Sequence, residues 1–388
     1  MSDVNNLIAE PAKILQKVGR ENRNVIYFTA DIPIEIITAA GCVPYRIPSD
    51  LDARQNRNNV ATVLQPFICS KSHQFFNFIA DNGRNLAAGI FSENHCDSLQ
   101  NFYDVIQMSK TLDPEFSHFR FLLPINRGGL TEAKYYFKEL KRLVTWFENW
   151  LGQKVTYKKL LDSIQLHNSK RMLLSNISRQ IQIQKSNKFT IAEFVKLKLL
   201  TDIIPVNESS EILNSLQDAL TKDNSVNERP SLYPNILISG SMFDNYRLFE
   251  EIEILNKTSI ATDLSFISRS SEFQVAIPEN QEKQDIDELL MNMATAYVID
   301  KIPDSVHHFP NKRRDHLIRL VDKLNIEGVI FIHYSFCDPD AFESRSLARY
   351  LETKRGIPTL TLVTDPQLTN LNQMTTRVEA FLEKIGDL

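Results

Sequence analysis

Short apolar runs alternate with amphipathic stretches along the first third of the chain and again along the last. Val25 to Thr29 (VIYFT) reads as a strand, and Pro33 then opens a helix, PIEIITAAG, that Gly41 stops. Val43 to Ile47 is a second strand, closed by the turn Pro48-Ser49-Asp50. Residues 63–80 carry an aromatic helical run, HQFFNFIA. Leu86 to Ser92 (LAAGIFS) is a third strand, followed by a helix to Ser109. Phe119 to Leu123 (FRFLL) is a fourth, ended by Pro124. Strands alternating with helices predict a mostly parallel sheet. Residues 1–24 read as polar, helical and peripheral, and 51–60 show no clear period.

From Thr131 the period changes. Phe137, Leu140, Val144, Phe147 and Leu151 fall at helical spacing, with Gly152 as the stop. Helix continues over Thr156 to Ile183 and over Phe189 to Leu220, broken at Pro205. His167, Trp146 and Trp150 read as helix-packing residues. Thr221 to Pro230 is a polar linker, after which Asn235 to Ser239, Ile260 to Asp263, Gly328 to Phe336 and Thr359 to Val363 read as strands. Helices fill the gaps, including Arg314–Leu324 and Leu347–Arg355. The expectation is an α/β protein in which two parallel-sheet, Rossmann-like lobes flank a helical module. Residues 1–125 form the first lobe, 126–230 the helical module and linker, and 231–388 the second lobe.

The 388 residues are 43% hydrophobic and 24% charged, with a net charge of −4. That balance offers no basic field for nucleic acid. No apolar stretch approaches the length of a membrane span, and the opening MSDVNNLIAEPAK has no signal-peptide pattern, so a cytoplasmic location is expected.

Four cysteines stand at 42, 69, 96 and 337. In a reducing compartment they are expected as thiols, and as scattered residues without a Cys-x-x-Cys pair they could simply fill the core. Two of them sit elsewhere. Cys96 and Cys337 each follow a strand and precede an aspartate, and ligands of open α/β sheets gather at the carboxyl ends of strands. Asp338-Pro339-Asp340 reads as a turn after the strand Val329–Tyr334.

The closing segment carries Phe336-Cys337-Asp338, Gly356-Ile357-Pro358, Asp365, and Gln373 with Thr376, Arg377, Ala380 and Phe381. It resembles the C-terminal signature of the 2-hydroxyacyl-CoA dehydratase family, which includes benzoyl-CoA reductase subunits. Cys96-Asp97 with Tyr103-Asp104, the opening Pro33, Glu35, Ala39, Ala40, Gly41, Pro44 and Arg46, and Ile238-Ser239-Gly240-Ser241 carry the resemblance over nearly the whole chain. The chain departs from the family at Thr29, where a cysteine is frequent, and at His95, where a small residue is.

The resemblance implies a [4Fe-4S] cluster held by Cys69, Cys96 and Cys337, with one iron open, and leaves Cys42 as packing. It implies the iron–sulfur subunit of a (R)-2-hydroxyacyl-CoA dehydratase, a lyase. Such enzymes remove water to give a 2-enoyl-CoA through a ketyl radical after a one-electron injection. A subunit of a benzoyl-CoA-reductase-type enzyme, or a non-catalytic partner subunit, is the alternative. The implied partners are a related subunit, an acyl-CoA, and an ATP-dependent iron–sulfur activator. The chain has no Gly-x-x-x-x-Gly-Lys-Ser/Thr run to handle ATP itself. Glu35, Asp97 and Asp338 suit caps or hydrogen-bond partners better than bases. A cluster spanning both lobes would be cofactor and clamp together.

Overall fold

The computed structural model describes residues 17–18, 24–29, 32–49, 64–108, 117–184, 189–222, 234–255, 257–307 and 310–386. Most of the N-terminal 24 residues, the segment 51–60 and most of the expected linker lie outside them.

The first sheet contains β1 (Asn24–Phe28), β2 (Cys42–Arg46), β3 (Gly89–Glu93) and β4 (Ser117–Phe121), in the order β2-β1-β3-β4. The second contains β5 (Asn235–Gly240), β6 (Ser259–Leu264), β7 (Gly328–Tyr334) and β8 (Thr359–Thr364), in the order β6-β5-β7-β8. Every pairing is parallel. The chain therefore draws the same doubly wound pattern twice. β3 and β7 are equivalent strands, each starting the reversed direction of its sheet, where the topological switch opens a crevice. β7, the sequence GVIFIHY, is buried along its whole length, as a central parallel strand covered on both faces must be.

Helices cover the sheets: α1 (Ile34–Ala39), α2 (Ser70–Leu86) and α3 (Asp97–Met108) in the first half, α8 (Arg247–Ile254), α9 (Ile286–Thr295), α10 (Pro310–Lys323), α11 (Asp338–Tyr350) and α12 (Leu371–Gly386) in the second. Between them run α4 (Leu130–Leu151), α5 (Tyr157–Gln184), α6 (Ile191–Thr201) and α7 (Val206–Lys222). Gly152 ends α4 at φ +64°, where a side chain would be strained. Thr190 and Glu193 form a capping box on α6.

Several expectations shift; β4 lies two residues earlier than the apolar run predicts, and α10 starts four residues earlier. β3 begins at Gly89 because α2 runs on through Leu86. Asp338-Pro339-Asp340 is no turn. It opens α11, because proline's fixed φ suits a first helical turn and both aspartates favour the positive end of the helix.

One apolar core runs from Tyr27 and Tyr45 of the first sheet through α5, α6 and α7 to Ile330 and Ile332 of the second. Another joins Ile26, Phe91 and Phe121 to α4, α9 and Phe273. Trp146 and Trp150 stack at 5.1 Å against this second core, as packing residues.

Candidate functional site

Cys69 precedes the first residue of α2, Cys337 that of α11 and Cys96 that of α3. All three line one cavity of about 930 Å³. Cys96 follows β3 and Cys337 follows β7, so the two lobes present thiols from equivalent loops. The lobes touch here through the backbone: Ser70 N–H donates to Ser335 C=O at 3.0 Å. Phe336 takes φ +62°, a costly conformation for an aromatic residue, and this bend separates the end of β7 from Cys337.

The buried Cys69 and Cys337 thiols perturb each other: Cys337 lowers the Cys69 thiol against burial, with help from the backbone N–H groups of Lys71 and Ser72, while Cys69, with burial, raises Cys337. A thiolate facing the N-terminus of a helix is stabilised by its dipole, so α2, α3 and α11 suit bound thiolates or an anionic cluster. Cys42 lies apart, in the core of the first sheet with Ile26 and Ile36, where burial pushes it up to about 12.

A buried polar network stands behind Cys69. Lys71 Nζ donates to Ser49 Oγ at 2.7 Å and to Asp244 Oδ1 at 3.1 Å. Asp244 also pairs with Arg46 at 3.1 Å, and Tyr334 O–H reaches it at 3.1 Å. Beside Cys96, the buried His95 Nε2 is 3.5 Å from Asp304 Oδ2. Ser305 O–H donates to Asp340 at 2.6 Å. The cavity wall also carries Phe75, Phe336, Phe342 and His307, and Arg314, Arg349 and Lys354 from α10, α11 and the turn after α11.

Among the described residues, no group of three His, Cys, Asp or Glu side chains is arranged to chelate a single ion. A cuboidal iron–sulfur cluster asks for a different arrangement, with thiolates spread around a pocket and each bound to a separate iron. Three thiols on one cavity, two of them buried, fit that donor set.

The other acidic candidates divide between the core and the cavity wall. Glu35 is buried in an ion pair with Arg171 and accepts from Tyr297 O–H at 2.8 Å, away from the cavity. Asp97 and Asp338 lie in first helical turns and line the cavity beside Cys96 and Cys337. Arg377 donates to Thr361 C=O at 2.9 Å, and Asp365 accepts from Thr369 N–H at 3.1 Å. Sequence reasoning missed Lys71, Asp244, Asp304 and the basic residues of α10 and α11. Lys71 and Asp244 are separated by 173 positions, so no local spacing could pair them.

No helix among the described residues is long and apolar enough to cross a membrane. The family model for 2-hydroxyglutaryl-CoA dehydratase, D-component, matches residues 29–385. The chain is 25% identical to the (R)-2-hydroxyglutaryl-CoA dehydratase subunit beta of Acidaminococcus fermentans, over 97% of this chain and 96% of the relative. It is 20% identical to the (R)-phenyllactyl-CoA dehydratase beta subunit of Clostridium sporogenes, over 99% and 98%. It is 25% identical to a benzoyl-CoA reductase subunit of Thauera aromatica, over 86% and 83%.

Proposed function

The chain belongs to the 2-hydroxyglutaryl-CoA dehydratase D-component family, and from that premise we propose that it is the iron–sulfur subunit of a (R)-2-hydroxyacyl-CoA dehydratase. The observation that carries this reading is the meeting of Cys69, Cys96 and Cys337 on one cavity, from both lobes. These three thiolates would hold the [4Fe-4S] cluster. When bound, the cluster would supply a Lewis-acidic iron for a substrate oxygen and a path for one electron.

The chain's own residues prepare the rest of the cavity. Phe75, Phe336 and Phe342 give apolar wall for an acyl-pantetheine arm, and a cavity of about 930 Å³ is of ligand size. Arg314, Arg349 and Lys354 supply positive charge for the phosphates of coenzyme A. Lys71, held against Asp244, keeps a cation beside the Cys69 thiolate. His307 lines the cavity, and burial with the nearby Arg127 and His95 holds its imidazole well below the usual range, so it stands there as a neutral ring. The chain would work beside a related subunit and receive its electron from an ATP-hydrolysing iron–sulfur activator.

Anaerobic purification with iron and sulfide analysis tests the reading. The wild-type chain should carry about four irons and four sulfides, with broad visible absorbance. Cys337→Ser should lose them. Full iron loading of Cys337→Ser would return Cys337 to the role of a packing thiol. The benzoyl-CoA-reductase relative favours a second reading, a subunit of an acyl-CoA reductase. Assembly with partner and activator separates the two: a dehydratase releases water from a 2-hydroxyacyl-CoA without net reduction, whereas a reductase consumes electrons in proportion to product.

A further inference from the structure

Arg46, Lys170 and Lys198 converge on a single carboxylate. Arg46 Nε is 2.9 Å from Asp202 Oδ2, Lys170 Nζ is 3.3 Å from Oδ1, and Lys198 Nζ pairs with Oδ2. The other arm of Arg46 shares Asp244 with Lys71. Among the described residues four cations thus share two carboxylates, and no side chain in the set is more than 11% exposed. Buried charge without a counter-charge is costly, and arginine cannot relieve it by losing a proton. The two lysines register the same excess: burial drives Lys198 down to about 7, and it lowers Lys170 too, despite Asp202.

Beside this group lies a second cavity, of about 60 Å³, lined by Arg46, His167, Lys170, Lys198, Asp202 and aromatic rings such as Phe266. Two of its polar groups have unused capacity. Arg46 Nη2 has no hydrogen-bond partner. His167 spends Nε2 on Thr38 Oγ1 at 2.9 Å and leaves Nδ1 without one. Both residues are buried. The space exceeds what one water needs, about 10–15 Å³, yet is small for an organic anion.

We infer that this cavity is a binding site for a small monovalent anion of chloride's size, held by Arg46 Nη2 and His167 Nδ1–H and balanced by Lys170 and Lys198. A single negative charge reduces the excess of cations, and the aromatic wall suits a weakly hydrated halide better than a strongly hydrated divalent oxyanion. Arg171, which also lines the cavity, already pairs with Glu35. The site draws Arg46 from β2, Lys170 from α5, Lys198 from α6 and Phe266 from the loop after β6, so the anion would tie both lobes to the bridging helices.

The test uses the anaerobically purified full chain. Thermal midpoints are measured in sodium gluconate with increasing replacement by chloride or bromide at constant ionic strength. The midpoint should rise with the logarithm of halide concentration once the site begins to fill. Crystals soaked in bromide should show an anomalous peak within reach of Arg46 Nη2 and His167 Nδ1. Lys198→Met should weaken the halide dependence at least tenfold in half-saturating concentration, and His167→Leu should weaken it as well. Equal midpoints in gluconate and chloride would overturn the assignment, and so would a halide effect without a bromide peak in this cavity. Wild-type halide dependence in a folded Lys198→Met protein would do the same.

Discussion

At Lys198 burial and ion pairing pull in opposite directions. Removal from water drives its ammonium down to about 7, while Asp202 works to keep it charged. In the unfolded chain a lysine titrates near about 10.4. Between those values the unfolded state binds the proton that the folded state has released, so stability rises with pH across that window. The gain is complete above the unfolded value and is lost as pH falls toward 7. The slope from this group is at most about 1.4 kcal/mol per pH unit. Urea titrations from pH 7 to 10 in chloride-free buffer should show the rise, and Lys198→Met should remove that part of it. An unchanged slope in the variant would mean that Lys198 remains charged in the fold throughout. Asp202 is also shifted down, by its cationic partners rather than by burial, so its stability too rises with pH, but in the acid range. Lys198, Lys170 and Arg46 outweigh burial and hold its carboxyl well below the usual range, so its contribution fails only in strong acid.

Helix and strand ends decide where the chemistry sits. Each candidate thiol is fixed by the start of a helix, and two of those helices follow equivalent strands. Close packing between elements is enforced at two glycines with different tolerance. A Cβ on Gly240, at the end of β5, would come 2.3 Å from the Ile332 carbonyl of β7, which the parallel ladder holds in place. A Cβ on Gly328 would meet Ile385 Cδ1 at 2.4 Å and Phe381 at 3.0 Å, and side-chain ends can shift. Gly240→Ala should therefore cost more, about 1–3 kcal/mol, and Gly328→Ala less, read as the order of their thermal midpoints. Equal losses would show that the ladder gives as easily as a side chain. The strands were legible in the sequence because a buried parallel strand is a continuous apolar run, as in GVIFIHY. The start of α11 was not, because Asp-Pro-Asp is as good a turn as it is a first helical turn. Only Cys337 taking the N-cap position decides between them. Cys96 and Cys337 stood out by their places after strands, Cys69 came from family resemblance, and the Lys71–Asp244 pair needed the fold itself.

Across the whole molecule, buried charged groups of the protein itself join the two lobes. Asp244, from the second lobe, is wholly buried and binds Arg46, Lys71 and Ser49 of the first. Tyr334, at the end of β7, joins the same group through Ser49 Oγ at 2.6 Å. Asp244→Ala would leave Arg46 and Lys71 buried with one fewer counter-charge. Breaking a buried pair in this way costs about 3–5 kcal/mol. Cys337→Ser is a different perturbation, because serine is a favoured N-cap and α11 should start as before. The clamp expected of a bridging cluster can thus be separated from the clamp made by protein groups. In metal-free protein, small-angle scattering should give Cys337→Ser the same radius of gyration as the wild type. Asp244→Ala should be larger and should unfold at a lower temperature. If Cys337→Ser expands while Asp244→Ala stays compact, the thiol contact between Cys69 and Cys337 holds the lobes together and the charge network does not.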